Sequence, residues 1–246
     1  MSSFDYAIVI PAWNEAEFIE ASIAAAQTAM QCQTCHGQLI VVDNNSSDDT
    51  AALARAAGAT VVFEPINQIS RSRNAGANAS DADMLIFLDA DTELSATLLS
   101  RAIALLQTNE IVGGGAPVAP DRVVPWHAQW VMTGWNCVSR LFKLAAGCFI
   151  FCRADAFNQI GGFTVERFAG EELVLSRQLR RWGRQHNMAF HIIQEPAITT
   201  SVRKIDWFTA GQLFRQYLFA LVPGALKSKK AMRTWYDETT KRSNKE

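Results

Sequence analysis

The feature that most constrains the fold of this chain is the regular alternation of short apolar runs with helical patterns. Four runs in the first half are dense enough to be buried strands, and the stretches between them carry apolar residues at helical spacing. Such an order is typical of a parallel sheet with helices on its faces. We therefore predict a Rossmann-like α/β fold with a mixed, mostly parallel sheet. The four runs are YAIVIP, LIVVD, TVVF and MLIFLDA.

Local signals indicate where these elements should begin and end. Pro11 is expected to stop the first strand, and a helix should follow from about residue 14 to residue 30. Gly58 is expected to end the second helix, because glycine readily adopts the left-handed conformation found there. A third helix is expected around residues 71–79, and a fourth in SATLLSRAIALLQ.

The second half is less regular, but it contains no repeat and no obvious linker. IVGGG and AAGCFIFC predict strands, and WHAQWVMTGWNCVSRLF predicts a loose aromatic helix. EELVLSRQLRRWG predicts a helix with acids at its start and arginines at its end, as the helix dipole favours. AFHIIQEPAITTSV should be extended. We predict one domain over residues 1–224 and a basic tail over residues 225–246.

The distribution of charge bears on possible partners. The formal net charge of −1 gives no indication of nucleic acid binding. Residues 225–246 carry seven Lys or Arg against three acids, which is typical of a solvated end but also suits an anionic membrane surface. The aromatic segment 207–222 is expected either to pack against the sheet or to lie in a membrane interface. With no signal peptide or spanning stretch found, we predict a cytoplasmic protein, at the inner face of the membrane if this C-terminal part binds lipid.

Acidic residues follow the fourth apolar run directly. Asp89 and Asp91 lie just past the end of this predicted strand, and the polar stretches PAWNE and DNNSSDD follow the first two. In open α/β sheets these strand ends meet at one edge, where ligands bind. Together with Arg71, Arg73 and Asn74, the acids suit a divalent cation and a diphosphate, because carboxylates are hard ligands. A polar turn that caps the next helix is the alternative, and spacing alone leaves both open.

Six short blocks, in their order and spacing, resemble the family 2 glycosyltransferases, whose fold is called GT-A. The resemblance covers about residues 6–183 and implies a nucleotide-sugar half at about 1–110 and an acceptor half at about 111–224. It implies an enzyme that moves a sugar from a UDP- or GDP-sugar to an acceptor hydroxyl, with Mg²⁺ or Mn²⁺ and usually with inversion. The blocks are VIPAWNEAEFI, VVDNNSSDDT, RNAGANAS, FLDADTEL, GGF and GEELVLSRQLRRWG.

The resemblance also implies roles for individual residues. Asp91 would hold the cation, and Asp89 would lie close to both the ribose and the metal. Asp43 would accept the imide N–H of a uracil-like base, and Arg73 would face the base or the phosphates. The residues implied in nucleotide-sugar binding are Pro11, Ala12, Asn14, Glu15, Asp43, Arg73, Asp89, Ala90 and Asp91.

The catalytic base implied by the resemblance falls on an acidic pair. The family uses the second acid of a Glu-Asp pair; this chain has Glu171 and Glu172, so Glu172 aligns with the base and Glu171 stays a candidate. The extra methylene keeps the chemistry but moves the carboxylate by about a bond length. Without the resemblance, both would be ordinary first-turn acids of a helix. A second departure is DNN where the family often has D-D-G, which leaves Asn44 and Asn45 without a role.

Two further groups have open roles. Arg203 and Lys204 follow an extended segment and could close over a diphosphate, although solvent exposure is the favoured interpretation. Trp126, Trp130 and Trp135 could stack on a sugar or lipid acceptor, although aromatics at such spacing more often belong to a core.

We therefore predict a metal-dependent, inverting glycosyltransferase whose acceptor is a lipid, a saccharide or a small metabolite. Two other functions stay open. A sugar-1-phosphate nucleotidyltransferase would need a glycine-rich, basic stretch after the first strand, where this chain has PAWNEAEF. A non-catalytic nucleotide-sugar binding module would share the donor site but lack turnover.

Overall fold

A computed structural model describes residues 3–203 of the chain. The predicted aromatic segment 207–222, the basic tail 225–246 and Lys204 lie outside the described residues. The strands in this range are β1 (Tyr6–Ala12), β2 (Gly37–Asp43), β3 (Thr60–Phe63), β4 (Met84–Leu88), β5 (Thr92–Glu93), β6 (Ile111–Gly115), β7 (Val118–Pro120), β8 (Phe149–Arg153), β9 (Ala189–Ile192) and β10 (Ile198–Thr200). The helices are α1 (Ile19–Gln31), α2 (Thr50–Ala56), α3 (Ile69–Asn78), α4 (Ala96–Gln107), α5 (Trp126–Phe142), α6 (Ala154–Gln159) and α7 (Glu171–Gln185).

Seven strands form the main sheet, in the order β3-β2-β1-β4-β8-β6-β9. The pairs β3–β2, β2–β1 and β1–β4 are all parallel, whereas β8 runs antiparallel to both β4 and β6. Strand β9 returns parallel to β6. The predicted mixed, mostly parallel α/β sheet is therefore confirmed, as are the strands expected in both halves of the chain.

Two apolar layers cover the faces of this sheet. One layer includes Ile23 of α1, Ala54 of α2 and Leu99 of α4, and the other includes Phe157 of α6 and Leu179 of α7, all buried. Because β1 and β4 are covered on both faces, every residue of these strands is buried. This explains why their sequences are continuous apolar runs without alternation.

Pro11 does not stop the first strand, contrary to the prediction. Strand β1 continues to Ala12, which pairs with Asp43 of β2. On its other side the pairing of β1 with β4 ends at Val9, so the missing N–H of Pro11 removes no bond from that pair. Strand β1 therefore ends one residue later than the sequence indicated, and the polar loop begins after Ala12.

Gly76 allows α3 to pack closely on the sheet. A Cβ atom added at this position would lie 2.3 Å from Val9 Cγ1 and 2.9 Å from Val42 Cγ2. Only a residue without a side chain fits such a contact. The glycine of the RNAG block is therefore a packing requirement of the fold.

A second, three-stranded sheet has the order β5-β10-β7 and was not expected as a sheet. Its strands are two or three residues long, too short to give a periodic pattern. Strand β10 pairs with β5, which follows Asp91 immediately, so this small sheet brings the end of the described chain beside the Asp89–Asp91 turn. Between residues 3 and 203, no helix combines the length and apolarity needed to cross a bilayer.

Candidate active site

Polar loops follow β1, β2 and β4 at one edge of the main sheet. Ala12 and Asp43 are paired at the ends of β1 and β2, and the Ala12 carbonyl oxygen accepts a hydrogen bond of 2.8 Å from the Asn44 N–H. The turn after β4 begins at Asp89, whose N–H donates to the Cys148 carbonyl oxygen at 3.2 Å. The parallel arrangement thus puts acids that are distant in sequence on one rim, as expected for this topology.

The loop after β1 is tied to the loop after β2. Asn14 adopts a left-handed conformation with φ of 53°, and its Oδ1 atom accepts the Ser47 N–H at 2.8 Å. The Glu15 N–H donates to Thr50 Oγ1 at 2.8 Å. These bonds use residues 14 and 15 in a turn, which is why α1 begins at Ile19 and not near residue 14 as predicted.

Asp43 and Asn44 are both buried, but their surroundings differ. Asp43 Oδ1 accepts the Ser46 N–H at 3.0 Å. The Asn44 side chain donates to the carbonyl oxygen of Ile66 at 2.7 Å and accepts the Gln68 N–H at 2.9 Å. An amide both donates and accepts here, which a carboxylate could not do. Asn44 therefore holds the segment before α3 in place, which gives this position a structural role.

Arg73 is the centre of the most deeply buried charge cluster in the described chain. Its side chain is 1% exposed, and it forms ion pairs of 2.9 Å with Asp89 Oδ1 and with Glu171 Oε1. It also donates to the Gly147 carbonyl oxygen at 2.8 Å, and its guanidinium lies over the Phe163 ring. Burial alone would lower the pKa of this guanidinium, but the two facing carboxylates outweigh burial and raise that pKa.

The acidic pair at the start of α7 is divided between two environments. Glu171 is 4% exposed and is neutralised by Arg73, whereas Glu172 is half-buried. A Cβ atom added at Gly147 would lie 3.9 Å from the Glu172 carboxyl carbon and 3.3 Å from Arg73 Nη2, so Glu172 lies beside this cluster. Burial, followed by the neighbouring Glu171 charge, raises the pKa of Glu172 to about 8.

Arg203 contacts two acids at the rim, contrary to the prediction that it faces solvent. Its Nη2 atom lies 2.5 Å from Glu15 Oε2 and 3.2 Å from Asp91 Oδ2, and the side chain is 14% exposed. The guanidinium also stacks over the Phe18 ring, with 4.3 Å between its carbon and the ring centroid. Sequence reasoning missed this contact because 188 positions separate Glu15 from Arg203 and only the small sheet brings them together.

The residues predicted to hold a cation have partners of the protein's own. Asp89 is paired with Arg73, and Asp91 with Arg203. Across residues 3–203, no three His, Cys, Asp or Glu side chains converge as a metal site would require. Mg²⁺ is commonly held by one or two carboxylates together with substrate phosphates, so two acids on one turn still fit a cation that the donor completes.

A cleft of about 350 Å³ adjoins this turn between α1 and the small sheet. Asp91, Glu93 and Asp121 line it together with the Phe18 ring. Asp91 therefore lines an open cleft, although it is ion-paired to Arg203.

Comparison with known proteins decides the family. The sequence profile of glycosyl transferase family 2 matches residues 7–165, more than half of the chain. The chain belongs to glycosyltransferase family 2. The predicted family is thereby confirmed; five of the six blocks lie within the matched residues, and the sixth, at residues 170–183, lies beyond them.

Curated members of the family support this assignment. An uncharacterized glycosyltransferase of Mycobacterium tuberculosis is 33% identical over 137 residues, which cover 54% of this chain. The matched part is 59% of the length of that relative. The glycosyltransferase AglE of Haloferax volcanii is 30% identical over 197 residues, which cover 76% of this chain and 64% of AglE.

Solved structures of low sequence identity share the fold. Glucosyl-3-phosphoglycerate synthase of Mycobacterium tuberculosis, in complex with Mn²⁺, UDP and glucosyl-3-phosphoglycerate, superposes with a TM-score of 0.63 at 19% identity, covering 89% of this chain and 79% of that one. The mannosyltransferase PcManGT of Pyrobaculum calidifontis, in complex with GDP-Man and Mn²⁺, gives 0.62 at 16% identity, covering 94% and 64%. The fold of this family 2 member is accordingly GT-A, as predicted.

Proposed function

We propose that this chain transfers a sugar from a nucleoside diphosphate donor to an acceptor hydroxyl, with inversion at the anomeric carbon. One observation carries the proposal: a single buried guanidinium, Arg73, joins Asp89 of the donor-side turn to Glu171, the residue next to Glu172. An enzyme of this kind needs leaving-group and base functions within a few ångströms of one sugar carbon. The buried ion pairs fix the two halves of such a site relative to each other.

On the donor side, we assign Asp43 to the base and the β1 loop to the nucleotide. Asp43 lies at the rim with one carboxylate oxygen engaged by the Ser46 N–H, which orients the carboxylate for a base N–H. Pro11, Ala12, Asn14 and Glu15 would line the same pocket. UDP and GDP-Man are bound in the two solved relatives described above, which supports a nucleotide donor of this class without selecting between uracil and guanine.

Asp91, with Asp89 and the Ala90 backbone, would hold a divalent cation on the diphosphate. Their hard oxygen atoms suit Mg²⁺ and Mn²⁺ alike, and both solved relatives contain Mn²⁺. When bound, such a cation supplies Lewis-acid stabilisation of the charge that develops on the departing diphosphate.

Arg203 would bind the same phosphates directly through its guanidinium. Its guanidinium is held at the rim by Glu15 and Asp91 and by stacking on Phe18. Arg–phosphate hydrogen bonds are charge-assisted and geometrically specific, so the phosphates would offer this guanidinium an alternative to its carboxylate partners. Predicted contact of Arg73 with the donor stays a prediction; its two Nη atoms bond to protein groups here.

Glu172 is the residue we assign as the general base, and Glu171 as its support. Glu171 is ion-paired to Arg73 and buried, so it is poorly placed to receive a proton from an acceptor. Glu172 is half-buried, and its raised pKa makes its carboxylate a stronger base than an ordinary glutamate. In the proposed step Glu172 accepts the proton of the acceptor hydroxyl while that oxygen attacks the face opposite the diphosphate.

Two observations weigh against the other functions. A nucleotidyltransferase would need a basic phosphate-binding stretch after β1, whereas the β1 loop supplies Glu15. A binding module would have no need of a desolvated carboxylate with an elevated pKa beside an ion-paired cluster. The acceptor, whether lipid, saccharide or small metabolite, is not selected by these contacts.

The test combines a donor screen with one substitution. UDP- and GDP-sugars would be tested with Mg²⁺ or Mn²⁺ for thermal stabilisation and for donor hydrolysis or transfer. Glu172→Gln should lower turnover by roughly 10²–10⁴-fold while leaving donor affinity unchanged, because only the proton acceptor is removed. Donor binding with no turnover in the unsubstituted chain would favour the binding module, and no stabilisation by any nucleotide would refute the proposed donor class.

A further inference from the structure

Helix α5 exposes a broad apolar face. Only Ala128 and Ser139 of its 17 residues are buried. The side chains of Trp126, Trp130 and Leu141 are 76%, 73% and 76% exposed, and their spacing of four and eleven residues puts them on one side of the helix. Val131, Val138 and Phe142 extend this side and are also exposed. We call these six side chains, each between 41% and 76% exposed, the α5 face.

The opposite side of α5 fixes the helix to the protein. Asn136 accepts the Val118 N–H at 2.9 Å and donates to the Val118 carbonyl oxygen at 3.0 Å. At the C-terminal end, Arg180 of α7 donates to the Phe142 carbonyl oxygen. Because its polar anchors point inward, the helix presents its apolar residues outward in a defined orientation.

The charged residues of α5 and of the segments that flank it in sequence, residues 122–154, are all basic. No Asp or Glu occurs between Asp121 and Asp155 in the sequence, whereas Arg122, Arg140 and Lys143 are exposed at or beside the helix. An amphipathic helix with tryptophan on its apolar face and basic residues at its border is the type that lies in the interface of an anionic bilayer.

The C-terminal residues outside the described range carry a net charge of the same sign as the basic residues beside this helix. Residues 204–246 carry nine Lys or Arg against four Asp or Glu, a surplus of five positive charges. Four of these five surplus charges lie in residues 225–246, and they can bind the same negatively charged surface as the basic residues beside the α5 face. We propose that the α5 face binds an anionic lipid bilayer, with Trp126, Trp130 and Leu141 inserted among the headgroups.

The C-terminal end of α5 is connected to the Arg73 cluster by a short segment of chain. The chain leaves α5 at Phe142 and reaches Gly147 five residues later, where Arg73 binds its carbonyl oxygen beside Glu172. The binding itself does not depend on the proposed transferase activity, so the two can be tested separately.

The experiment measures binding of the full chain to vesicles of phosphatidylcholine alone and of phosphatidylcholine with phosphatidylglycerol. We expect binding to the anionic vesicles only, weakened by salt, with Trp fluorescence quenched by brominated lipid. The double variant Trp126→Gln/Trp130→Gln should bind these vesicles at least about tenfold more weakly, because the favourable free energy of moving each indole ring from water into the bilayer is lost. Phe63→Gln is the matched control, because Phe63 is 57% exposed on β3, far from α5 in the sheet order, and should bind like the unsubstituted chain.

Several results would overturn the inference. Equal binding by the unsubstituted chain and the double variant would locate membrane contact elsewhere. Absence of binding to anionic vesicles would exclude the bilayer as the partner. A dimer in sedimentation velocity that the double variant dissociates, without vesicle binding, would assign the α5 face to a second copy. Unchanged circular dichroism and urea midpoints should accompany the substitutions, because exposed side chains contribute little to stability.

Discussion

The buried cluster around Arg73 gives the most exacting test of the structure. In Arg73→Met, an apolar side chain of similar length replaces the guanidinium, so Glu171 loses its ion pair, and Asp89 loses its own. Glu171 has only 5% of its side chain exposed and cannot be rescued by water, whereas Asp89 is 29% exposed and is partly solvated. The cost should therefore come mainly from Glu171.

The expected magnitude follows from that difference in burial. Removing one partner of a buried pair costs about 3–5 kcal/mol, because a charge remains buried alone. Glu171→Gln keeps an oxygen that can accept from Arg73, so it should cost about 1 kcal/mol, the difference between a charged and a neutral hydrogen bond. In the Arg73→Met/Glu171→Gln double variant no charge at position 171 is left buried without a partner. The loss of stability in the double variant should therefore be smaller than the sum of the two single losses by about 1–3 kcal/mol.

Urea unfolding, followed by circular dichroism and fluorescence together, measures these free energies. Arg153→Met is the control: Arg153 makes two 3.0 Å bonds to Asp155 and one of 2.7 Å to Asn109, but the Arg153 and Asp155 side chains are 24% and 47% exposed. Water can replace these bonds, so the cost should be about 1 kcal/mol. A loss from Arg73→Met no larger than from Arg153→Met, or strict additivity with Glu171→Gln, would refute the view that this cluster is held together by its buried charges.

Four other predictions follow from the structure. Between pH 4.5, the ordinary pKa of a glutamate, and about pH 8, the folded chain keeps a proton on Glu172 that the unfolded chain has lost, so the free energy of unfolding should fall as pH rises. Glu172→Gln lacks this loss, so its stability relative to the unsubstituted chain should increase by up to about 1.4 kcal/mol per pH unit across that range. A difference in urea midpoints that does not change with pH would contradict the raised pKa. For the same reason kcat/KM should rise with pH up to about 8 if Glu172 is the base, and a flat profile in the free enzyme would exclude it. Gly76→Ala should lower the free energy of unfolding by about 1–3 kcal/mol, because it forces a methyl group against Val9. At Gly134 an added methyl group has no neighbour within 4 Å, so Gly134→Ala should stabilise α5 by about 0.5–1 kcal/mol. Similar urea midpoints for the two variants would argue against the close packing of α3. Arg203→Gln should weaken UDP binding with Mn²⁺ by roughly tenfold in calorimetry, and unaltered affinity would remove Arg203 from the phosphate site.

Elements and site residues were predictable to different extents. Strands such as β4 and helices such as α4 came from long apolar or periodic runs, which depend only on neighbours in sequence. The small sheet was missed because its strands are too short to carry a period. At the site, the acids at strand ends were predictable from topology, and the six blocks gave the family and aligned Glu172 with its base, but they gave no sign that Glu171 is ion-paired to Arg73.

The sequence by itself determined the parallel α/β core and the rim on which Asp43, Asp89 and Asp91 lie, because a run of buried strands with crossover helices has one edge where all these loops must end. Only the tertiary structure decided the partner of each charge: that Arg73 is committed to Glu171 and Asp89, and that Arg203 reaches Glu15 and Asp91. The physical reason is distance along the chain. Local patterns report burial and turn chemistry, whereas an ion pair between residues 98 or 188 positions apart depends on how the layers and sheets come together in space.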